Sequence, residues 1–385
     1  RLCENVALWL TAQAARSLPA TAMPILPQPF SHVPSTPLRL GSIGVSRPTR
    51  HLVPLGRQLS RGRPRPTARR VWEDAASFCS DPLVSCVGWA ALISGMTILR
   101  VATMDDDRHT PRAFLKRKRQ LGSTQAGNSP IVCLGDSITR GNLSADWVSS
   151  LRDDWQQGLV LNAGVNMQCS QNIQQRIDEV IACKPSHVTV LVGTNDLKAA
   201  LSPIEGFMYQ VFGDLAEVPS LETYEKTLTD IKHRLLQAGA HVALVSPPVL
   251  GEDIQSEANQ RAAEFAAVVR KVAESNAEGE QCTYLPLFEQ TYSACEALPC
   301  GRPYSGMDFF AWCCLLCWDM HVLQRDLADI QKERNLGVTV DLVHLGPNAA
   351  KDLADMVHGF LRSSQLETAR FVPPTAGFEM GMLRR

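Results

Sequence analysis

The sequence has no excess of either charge. Lys and Arg total 38 and Asp and Glu total 39, which leaves a formal net charge of -1 at pH 7. Nucleic-acid-binding chains usually carry a basic excess, so this balance argues against a nucleic-acid partner. The sequence also lacks the G-x-S-x-G nucleophile turn, the H-E-x-x-H zinc motif, the Walker-type phosphate loop and the G-x-G-x-x-G dinucleotide motif. The missing nucleophile turn argues against an α/β-hydrolase, and the sequence offers none of the other three signatures.

The N-terminal region has no lysine and almost no acidic residues. Residues 1–72 contain eleven Arg and one acid, Glu4, and show no sustained apolar period. We expect 1–103 to be a disordered region rich in Arg and Pro, with a targeting segment or upstream sequence as alternatives. Within it, 83–99 is uncharged and just reaches the length of about 17 residues that a membrane-spanning helix needs. We favour the cytoplasm or an organelle, with membrane association through 83–99 as the less favoured alternative.

The twelve cysteines lack the regular spacing of a disulfide scaffold, which indicates a reduced compartment. One cluster, Cys314, Cys317 and His321, has residue types that bind zinc. These side chains share one helical face with Phe310 and Cys313, and structural zinc sites usually use paired knuckles with longer loops. The pattern favours a core or pocket-lining stripe, and we expect no metal and no cofactor.

From residue 129 onward, short apolar runs alternate with amphipathic helical stretches. The runs are rich in Val and Leu, and they lie at 130–137, 159–164, 187–196, 240–248 and 282–288. Apolar strands that alternate with helices predict a parallel sheet of five strands with helices on both faces. We therefore expect a domain over 129–365, a charged linker at 104–128 before it and a tail at 366–385.

Polar residues follow four apolar runs. They are Gly135-Asp136-Ser137, Asn162-Ala163-Gly164, Gly193-Thr194-Asn195-Asp196 and, where a strand-like run at 337–340 ends, Asp341-Leu342-Val343-His344. In a parallel sheet the carboxyl ends of the strands meet at one edge, and ligands bind in the crevice there. The four groups can therefore converge on one site.

These residue types suit nucleophilic catalysis. A serine hydroxyl is a weak nucleophile until a base takes its proton, and His344 can be the base for Ser137. Asp341, three residues before the histidine, can bond the other imidazole nitrogen and stabilise the imidazolium. The backbone N–H groups of Ser137 and Gly164 and the side-chain amide of Asn195 can stabilise a tetrahedral oxyanion.

The four blocks resemble those of the GDSL, or SGNH, family of esterases and lipases. "GDSITRG" with Ser137, "NAGVN" with Gly164, "GTND" with Asn195 and "DLVH" with Asp341 and His344 occur in the family's order. The resemblance implies a three-layer α/β/α sandwich with a flavodoxin-like parallel sheet, and hydrolysis of esters without a metal. It implies that Ser137 is the nucleophile assisted by His344 and Asp341. It also implies an oxyanion hole formed by Ser137, Gly164 and Asn195.

The chain departs from this family pattern in two ways. Leu342 and Leu345 stand where the family usually has Gly after the Asp and Pro soon after the His. The segment 290–335 is longer than compact members need, and we expect it to form a lid or a wall of the acyl pocket. Asp136 is expected to support the site, by capping the next helix, rather than to take part in the reaction.

A second D-x-x-H sequence competes with the first. Asp355 and His358 repeat the spacing of Asp341 and His344, but they lie within a helical pattern, where both are expected on the helix surface. We therefore assign the catalytic dyad to Asp341 and His344.

The sequence predicts a serine esterase that hydrolyses a carboxylic ester through an acyl-enzyme. Acyl transfer from the same site, or a degenerate module that binds a ligand without catalysis, are the alternatives. An acylated sugar, a lysophospholipid or a short-chain ester can be the substrate.

Overall fold

The structure is a computed structural model, and it describes residues 109–121, 129–275, 282–298 and 301–370. All of them lie in the C-terminal of the two units into which the chain divides, Gly88–Arg385. The expectations for 1–103, including the apolar stretch 83–99, fall outside the described residues. Among the helices that the structure describes, none is long and apolar enough to cross a membrane.

The centre of the fold is a parallel sheet. Its strands are β1 (Ile131–Gly135), β2 (Val160–Gly164), β3 (His187–Leu191), β4 (His241–Val245) and β5 (Cys282–Leu285). They pair in the order β2-β1-β3-β4-β5, which is the flavodoxin-like order. Gly135 aligns with Gly164 on one side and with Leu191 on the other, so three strands end at the same level. The predicted fold class, a five-stranded parallel sheet in an α/β/α arrangement, is confirmed.

The helices follow the strands in sequence. They are α1 (Pro111–Leu121), α2 (Ser137–Arg140), α3 (Trp147–Asp154), α4 (Ser170–Ala182), α5 (Thr194–Leu201), α6 (Pro203–Phe212), α7 (Leu221–Gln237), α8 (Glu257–Glu274), α9 (Leu287–Glu296), α10 (Gly306–His321), α11 (Leu327–Glu333) and α12 (Pro347–Arg370). Across the sheet, the connection from β1 to β2 runs to one side, and the connection from β2 to β3 runs back to the other side. Because parallel crossovers are right-handed, α3 flanks one face, and α4, α7 and α8 flank the other.

Helix α7 shows how local sequence and packing combine. Ser220 caps its first turn by accepting the N–H of Thr223. Three of its apolar side chains, Tyr224, Leu228 and Ile231, recur at four and three residues and are buried in the core. Burial of a Leu or Ile side chain contributes about 1.5–3 kcal/mol. The apolar face therefore stabilises α7 mainly through its contact with the sheet.

Part of the expected linker, 104–128, forms helix α1. Thr110 begins it by accepting the N–H of Ala113, and Phe114 and Leu115 pack against the main core. The backbone carbonyl of His109 accepts the N–H of Asn162 in β2. Part of the expected charged linker is therefore an amphipathic helix that packs its apolar side chains on the domain.

The run at 337–340 is not a strand, and this corrects the sequence expectation that the dyad follows a strand end. Its backbone N–H groups bond the buried carboxylate of Glu252, at 2.9 Å from Gly337, 2.8 Å from Val338 and 2.7 Å from Thr339. A single antiparallel bridge joins Thr339 to Leu345. Because one carboxylate takes the donors that a neighbouring strand would need, the segment forms a narrow loop instead.

Candidate active site

The serine of the first block lies at the point where the strand order reverses. Ser137 is the first residue of the one-turn helix α2, directly after β1. Asp136 caps this helix by accepting the N–H of Ile138 at 2.9 Å. A side chain at Gly135 would collide with Thr139 and with the carbonyl oxygen of Leu191, so only glycine allows α2 to turn back onto the sheet. This packing holds Ser137 at the carboxyl end of β1.

Three side chains of the blocks form one hydrogen-bonded chain. His344 Nε2 lies 2.9 Å from Ser137 Oγ, and His344 Nδ1 lies 2.7 Å from Asp341 Oδ2. Oδ1 of Asp341 accepts the backbone N–H of His344 at 2.8 Å and that of Val343 at 3.1 Å. The carboxylate therefore holds both the imidazole ring and the backbone that carries it.

The charge of Asp341 is maintained in a buried environment. Burial alone raises its pKa, but the charge of His344 and the hydrogen bonds from His344 and Val343 outweigh burial, so the pKa lies below its ordinary value of 3.8. An ionised carboxylate at this position selects the imidazole tautomer with the proton on Nδ1. The other nitrogen, Nε2, is then free to accept the hydroxyl proton of Ser137.

The two leucines of the first family departure, Leu342 and Leu345, differ in how they fit the loop. Leu342 has a φ of 77°, in the left-handed region that glycine adopts without strain, and its side chain is completely buried. The N–H of Leu345 donates to Ser144 Oγ at 3.1 Å, a bond that proline cannot make. Leu345 therefore makes a bond that the usual proline would lose, whereas Leu342 holds a backbone conformation that glycine adopts more easily.

The three expected oxyanion donors differ in their surroundings. The N–H of Ser137 is the first of a helix and has no partner within that helix. The N–H of Gly164 donates to Asn162 Oδ1 at 2.9 Å. A side chain at Gly164 would meet the backbone of Thr139 and Arg140, so this glycine is required by the close approach of α2 to β2. Gly164 is therefore an engaged donor, and its role in an oxyanion hole stays a prediction.

Asn195 is held at both ends of its amide. Its Nδ2 donates to the carbonyl oxygen of Gln168 at 2.9 Å and lies 3.5 Å from Asp136 Oδ2. Its Oδ1 accepts the hydroxyl of Tyr209 at 2.6 Å. The sequence blocks do not include Tyr209 or Gln168, and no motif spacing points to them. They are found only because the fold places them beside the third block.

Asp136 and Asp196 of the blocks are buried carboxyl groups with structural bonds. Burial raises the pKa of Asp136 to about 7, although the N–H of Ile138 and the charge of His344 oppose the shift. Asp196 accepts the N–H and the hydroxyl of Ser170, the latter at 2.5 Å, and so ties the start of α5 to the start of α4. Both aspartates position backbone at the site.

The competing D-x-x-H sequence forms no dyad. Asp355 pairs with Lys351 on the exposed side of α12 at 2.6 Å. The ring of His358 packs edge-on against Trp155 with ring centroids 5.4 Å apart. Neither residue is bonded to Ser137.

The cysteine stripe lies on α10. His321 Nε2 is 2.9 Å from the backbone carbonyl of Asn142, and Cys317 packs with Leu143. Within the described ranges, no group of three or more His, Cys, Asp or Glu side chains is arranged to hold a metal.

A cluster of aromatic side chains covers the histidine. The ring of Phe309, on α10, lies 6.0 Å from the ring of His344. The Phe309 ring also contacts the ring of Tyr304, at 6.2 Å, and the buried ammonium of Lys198, whose Nζ is 3.4 Å from the Phe309 centroid and 5.7 Å from that of Tyr209. Burial lowers the pKa of Lys198. Helix α10 therefore contributes the outer wall of the site.

Residues 133–307 match the model of the GDSL-like lipase/acylhydrolase family. The matched segment contains Ser137, Gly164 and Asn195 and ends before Asp341 and His344. No curated protein matches the sequence.

Several solved structures are similar to this chain. The acetyl xylan esterase AlAXEase is 17% identical, covers 60% of this chain and 99% of its own, and has a TM-score of 0.42. Axe2, an acetylxylan esterase from Geobacillus stearothermophilus, is 19% identical over 61% of this chain and 94% of its own, with a TM-score of 0.42. LAE5, an alpha/beta hydrolase enzyme from the metagenome of Lake Arreo, Spain, is 18% identical over 63% of this chain and 98% of its own, with a TM-score of 0.41.

The sequence blocks, the fold and the family match define the class: the chain is an enzyme that hydrolyses ester bonds. Residues 133–307 match the GDSL-like lipase/acylhydrolase family that the blocks resemble, and the match includes the first three of the four blocks. The family match favours hydrolysis over acyl transfer.

Proposed function

We propose that this protein is a serine esterase that cleaves a carboxylic ester through an acyl-enzyme, with Ser137 as the nucleophile. The observation that carries the proposal is the bonded chain from Ser137 Oγ to His344 Nε2 and from His344 Nδ1 to Asp341. A hydroxyl bonded to a neutral imidazole, which is bonded in turn to a carboxylate, is the arrangement that activates serine nucleophiles.

The reaction has two half-reactions. Ser137 Oγ attacks the ester carbonyl carbon while His344 Nε2 takes its proton, and the imidazolium then gives that proton to the departing alcohol oxygen. In the second half-reaction, His344 takes a proton from water, the hydroxide attacks the acyl carbon, and Ser137 recovers its proton. Asp341 stays ionised throughout and stabilises the imidazolium.

The developing oxyanion needs hydrogen-bond donors. The Ser137 N–H and the Nδ2 group of Asn195 are the donors we propose, each contributing roughly 3 kcal/mol to the transition state. Gly164 is the third proposed donor, and its N–H must share or leave Asn162 Oδ1 when substrate binds.

The substrate is proposed as a small carboxylic ester: an acylated sugar, a lysophospholipid or a short-chain ester. Segment 290–335 is proposed as the wall or lid that receives the acyl group. The low exposure of Ser137, at 7%, and of His344, at 2%, supports a covering role for this segment. Turnover of esters with graded acyl length, in the wild type and in Phe309→Ala, reports which acyl groups the wall admits.

The central experiment measures turnover of p-nitrophenyl acetate and covalent labelling by a fluorophosphonate probe. We expect the wild type to be labelled and active, and Ser137→Ala to be neither. Labelling that persists in Ser137→Ala, or a wild type without labelling, would reject the esterase proposal and support a non-catalytic module.

The choice of histidine is tested by a matched pair. We expect His344→Ala to lose at least about 10³-fold in kcat, since a general base and its orienting carboxylate act as a unit. His358→Ala should keep kcat, because that ring packs against Trp155. The reverse result would move the dyad to α12.

A further inference from the structure

The amide of Asn195 has two orientations that differ by exchange of its oxygen and nitrogen. Only one of them places the N–H groups where an oxyanion donor is needed. In the structure Nδ2 donates to the carbonyl oxygen of Gln168, and Oδ1 accepts from the hydroxyl of Tyr209. We propose that Tyr209 is a positioning residue for the hydrolysis, which fixes the Asn195 amide with Nδ2 toward Asp136 and the oxyanion. This inference rests on the proposed function.

The two partners of the amide act from opposite ends. A backbone carbonyl can only accept a hydrogen bond, so the Gln168 carbonyl oxygen disfavours the orientation that would place the amide oxygen of Asn195 against it. The Tyr209 hydroxyl is uncharged, because burial raises the pKa of Tyr209 well above 10, and its proton points to Oδ1. The second N–H of Nδ2 points toward Asp136. Nδ2 lies 3.5 Å from Asp136 Oδ2, which makes this contact weaker than the bond to Gln168. That proton is available to a substrate oxygen next to Ser137.

Tyr209 is well suited to hold a fixed direction. It is 5% exposed and packs in a small cluster with Cys169, Ala199 and Leu215, apart from the main core. Helix α6, which carries it, begins at the Ser202 cap immediately after α5, which carries Asn195. A short connection between two packed helices leaves the hydroxyl little freedom to move from the amide.

Loss of the hydroxyl leaves the amide oxygen buried without a partner, and the amide then samples other orientations. This lowers kcat more than it weakens substrate binding, because the oxyanion exists only in the transition state. Removal of a complete oxyanion donor costs about 10²–10³ in kcat, so loss of its positioning residue should cost about tenfold.

The experiment is a double-mutant cycle on p-nitrophenyl acetate, with Tyr209→Phe, Asn195→Ala and the combined variant. We expect Tyr209→Phe to lower kcat by about tenfold and to change KM by less than about twofold. In the combined variant, Tyr209→Phe should add nothing to the loss caused by Asn195→Ala, since the amide it positions is gone.

Tyr224→Phe is the matched control. Tyr224 is also fully buried, and its hydroxyl donates to the carbonyl oxygen of Val192 at 2.8 Å, close to the same block. We expect it to lower the melting temperature and to keep kcat. Assays at 10 °C and 25 °C keep a destabilised variant folded enough to measure.

Four outcomes are distinguishable. A wild-type kcat in Tyr209→Phe, or losses that multiply in the combined variant, would overturn the positioning role. An equal loss of kcat in Tyr224→Phe would overturn it too, because any buried hydroxyl would then have the same effect. An Asn195→Ala variant with unchanged kcat would instead contradict the oxyanion hole of the proposed function.

Discussion

At the scale of single residues, the environment of each carboxyl group decides what it can do. Asp341 and Asp136 are both buried beside His344, yet their pKa values move in opposite directions. Asp341 accepts two backbone N–H groups and the imidazole, which favour its charge. Asp136 has one close N–H partner, so burial dominates and the proton is retained more readily. Asp341 therefore serves as a charged partner, and Asp136 serves as a cap.

The raised pKa of Asp136 predicts a pH-dependent stability. Its folded pKa is about 7 and its ordinary value is 3.8, so the folded state holds the proton more tightly than the unfolded state. The resulting stabilisation is complete below pH 3.8 and is lost as the pH rises through about 7. Asp136→Asn keeps the acceptor for Ile138 and has no charge to bury.

We therefore expect the free energy of unfolding of Asp136→Asn, relative to the wild type, to increase between pH 4 and pH 7 and to level off above. Urea unfolding at several pH values measures this difference. A difference that is constant over this range would show that Asp136 titrates normally.

At the scale of elements, glycines set how closely backbone segments approach. Gly164 and Gly135 let α2 lie against the ends of β1 and β2, and this contact places Ser137. Gly359, within α12, has open space where a side chain would begin. The two kinds of glycine should respond oppositely to the same substitution.

We expect Gly164→Ala to destabilise the protein by about 2 kcal/mol or more, because a methyl group forces α2 away from β2. Gly359→Ala, the matched control, should stabilise it by about 0.5–1 kcal/mol, since alanine favours the helix. Thermal unfolding distinguishes the two, and a tolerated Gly164→Ala would contradict the close approach.

Glu252 determines the loop that carries the dyad. Its carboxylate accepts three backbone N–H groups and the Thr339 hydroxyl, at 3.0 Å for the last. The segment 337–340 has the composition of a strand, and this one buried acid directs it into a loop. The acid lies 85 residues before Gly337 in the sequence.

Glu252→Ala leaves four donors without an acceptor, three of them buried, and we expect it to lower the free energy of unfolding by about 3 kcal/mol or more. Turnover should fall as well, because Asp341 and His344 lose their support. Glu252→Gln keeps one oxygen and should lose less. Glu264→Ala, at a surface ion pair with Arg261, should change stability by less than about 1 kcal/mol. Equal effects at Glu252 and Glu264 would contradict this role.

At the scale of the whole molecule, the described fold extends upstream of the first strand. The apolar side chains of α1, Phe114 and Leu115, pack on the core, and the carbonyl of His109 bonds β2. The expected domain boundary at 129 therefore leaves out a helix that contacts the sheet. The expected roles of 1–103 and of the tail remain predictions.

A chain that begins at Met104 keeps α1 and serves as the reference. A chain that begins at Ser123 lacks α1 and should lose about 2–4 kcal/mol, from the burial of one Phe and one Leu. Calorimetry of the two shortened chains checks this. Equal melting temperatures would mean that α1 contributes nothing to the fold.

The sequence by itself determined the sheet and the first three blocks. Runs of Val and Leu predict strands, and polar residues at the carboxyl ends of β1, β2 and β3 meet at one edge in any parallel sheet. Those features depend on neighbours along the chain, so they can be predicted locally.

Only the tertiary structure decided the rest. The loop at 337–344 depends on Glu252, the orientation of Asn195 depends on Tyr209 and Gln168, and the cover over His344 depends on Phe309. Each of these contacts joins residues that lie apart in the sequence and that no periodicity links. Buried polar groups take whichever partner the fold brings within reach, so their bonds follow from packing rather than from local pattern.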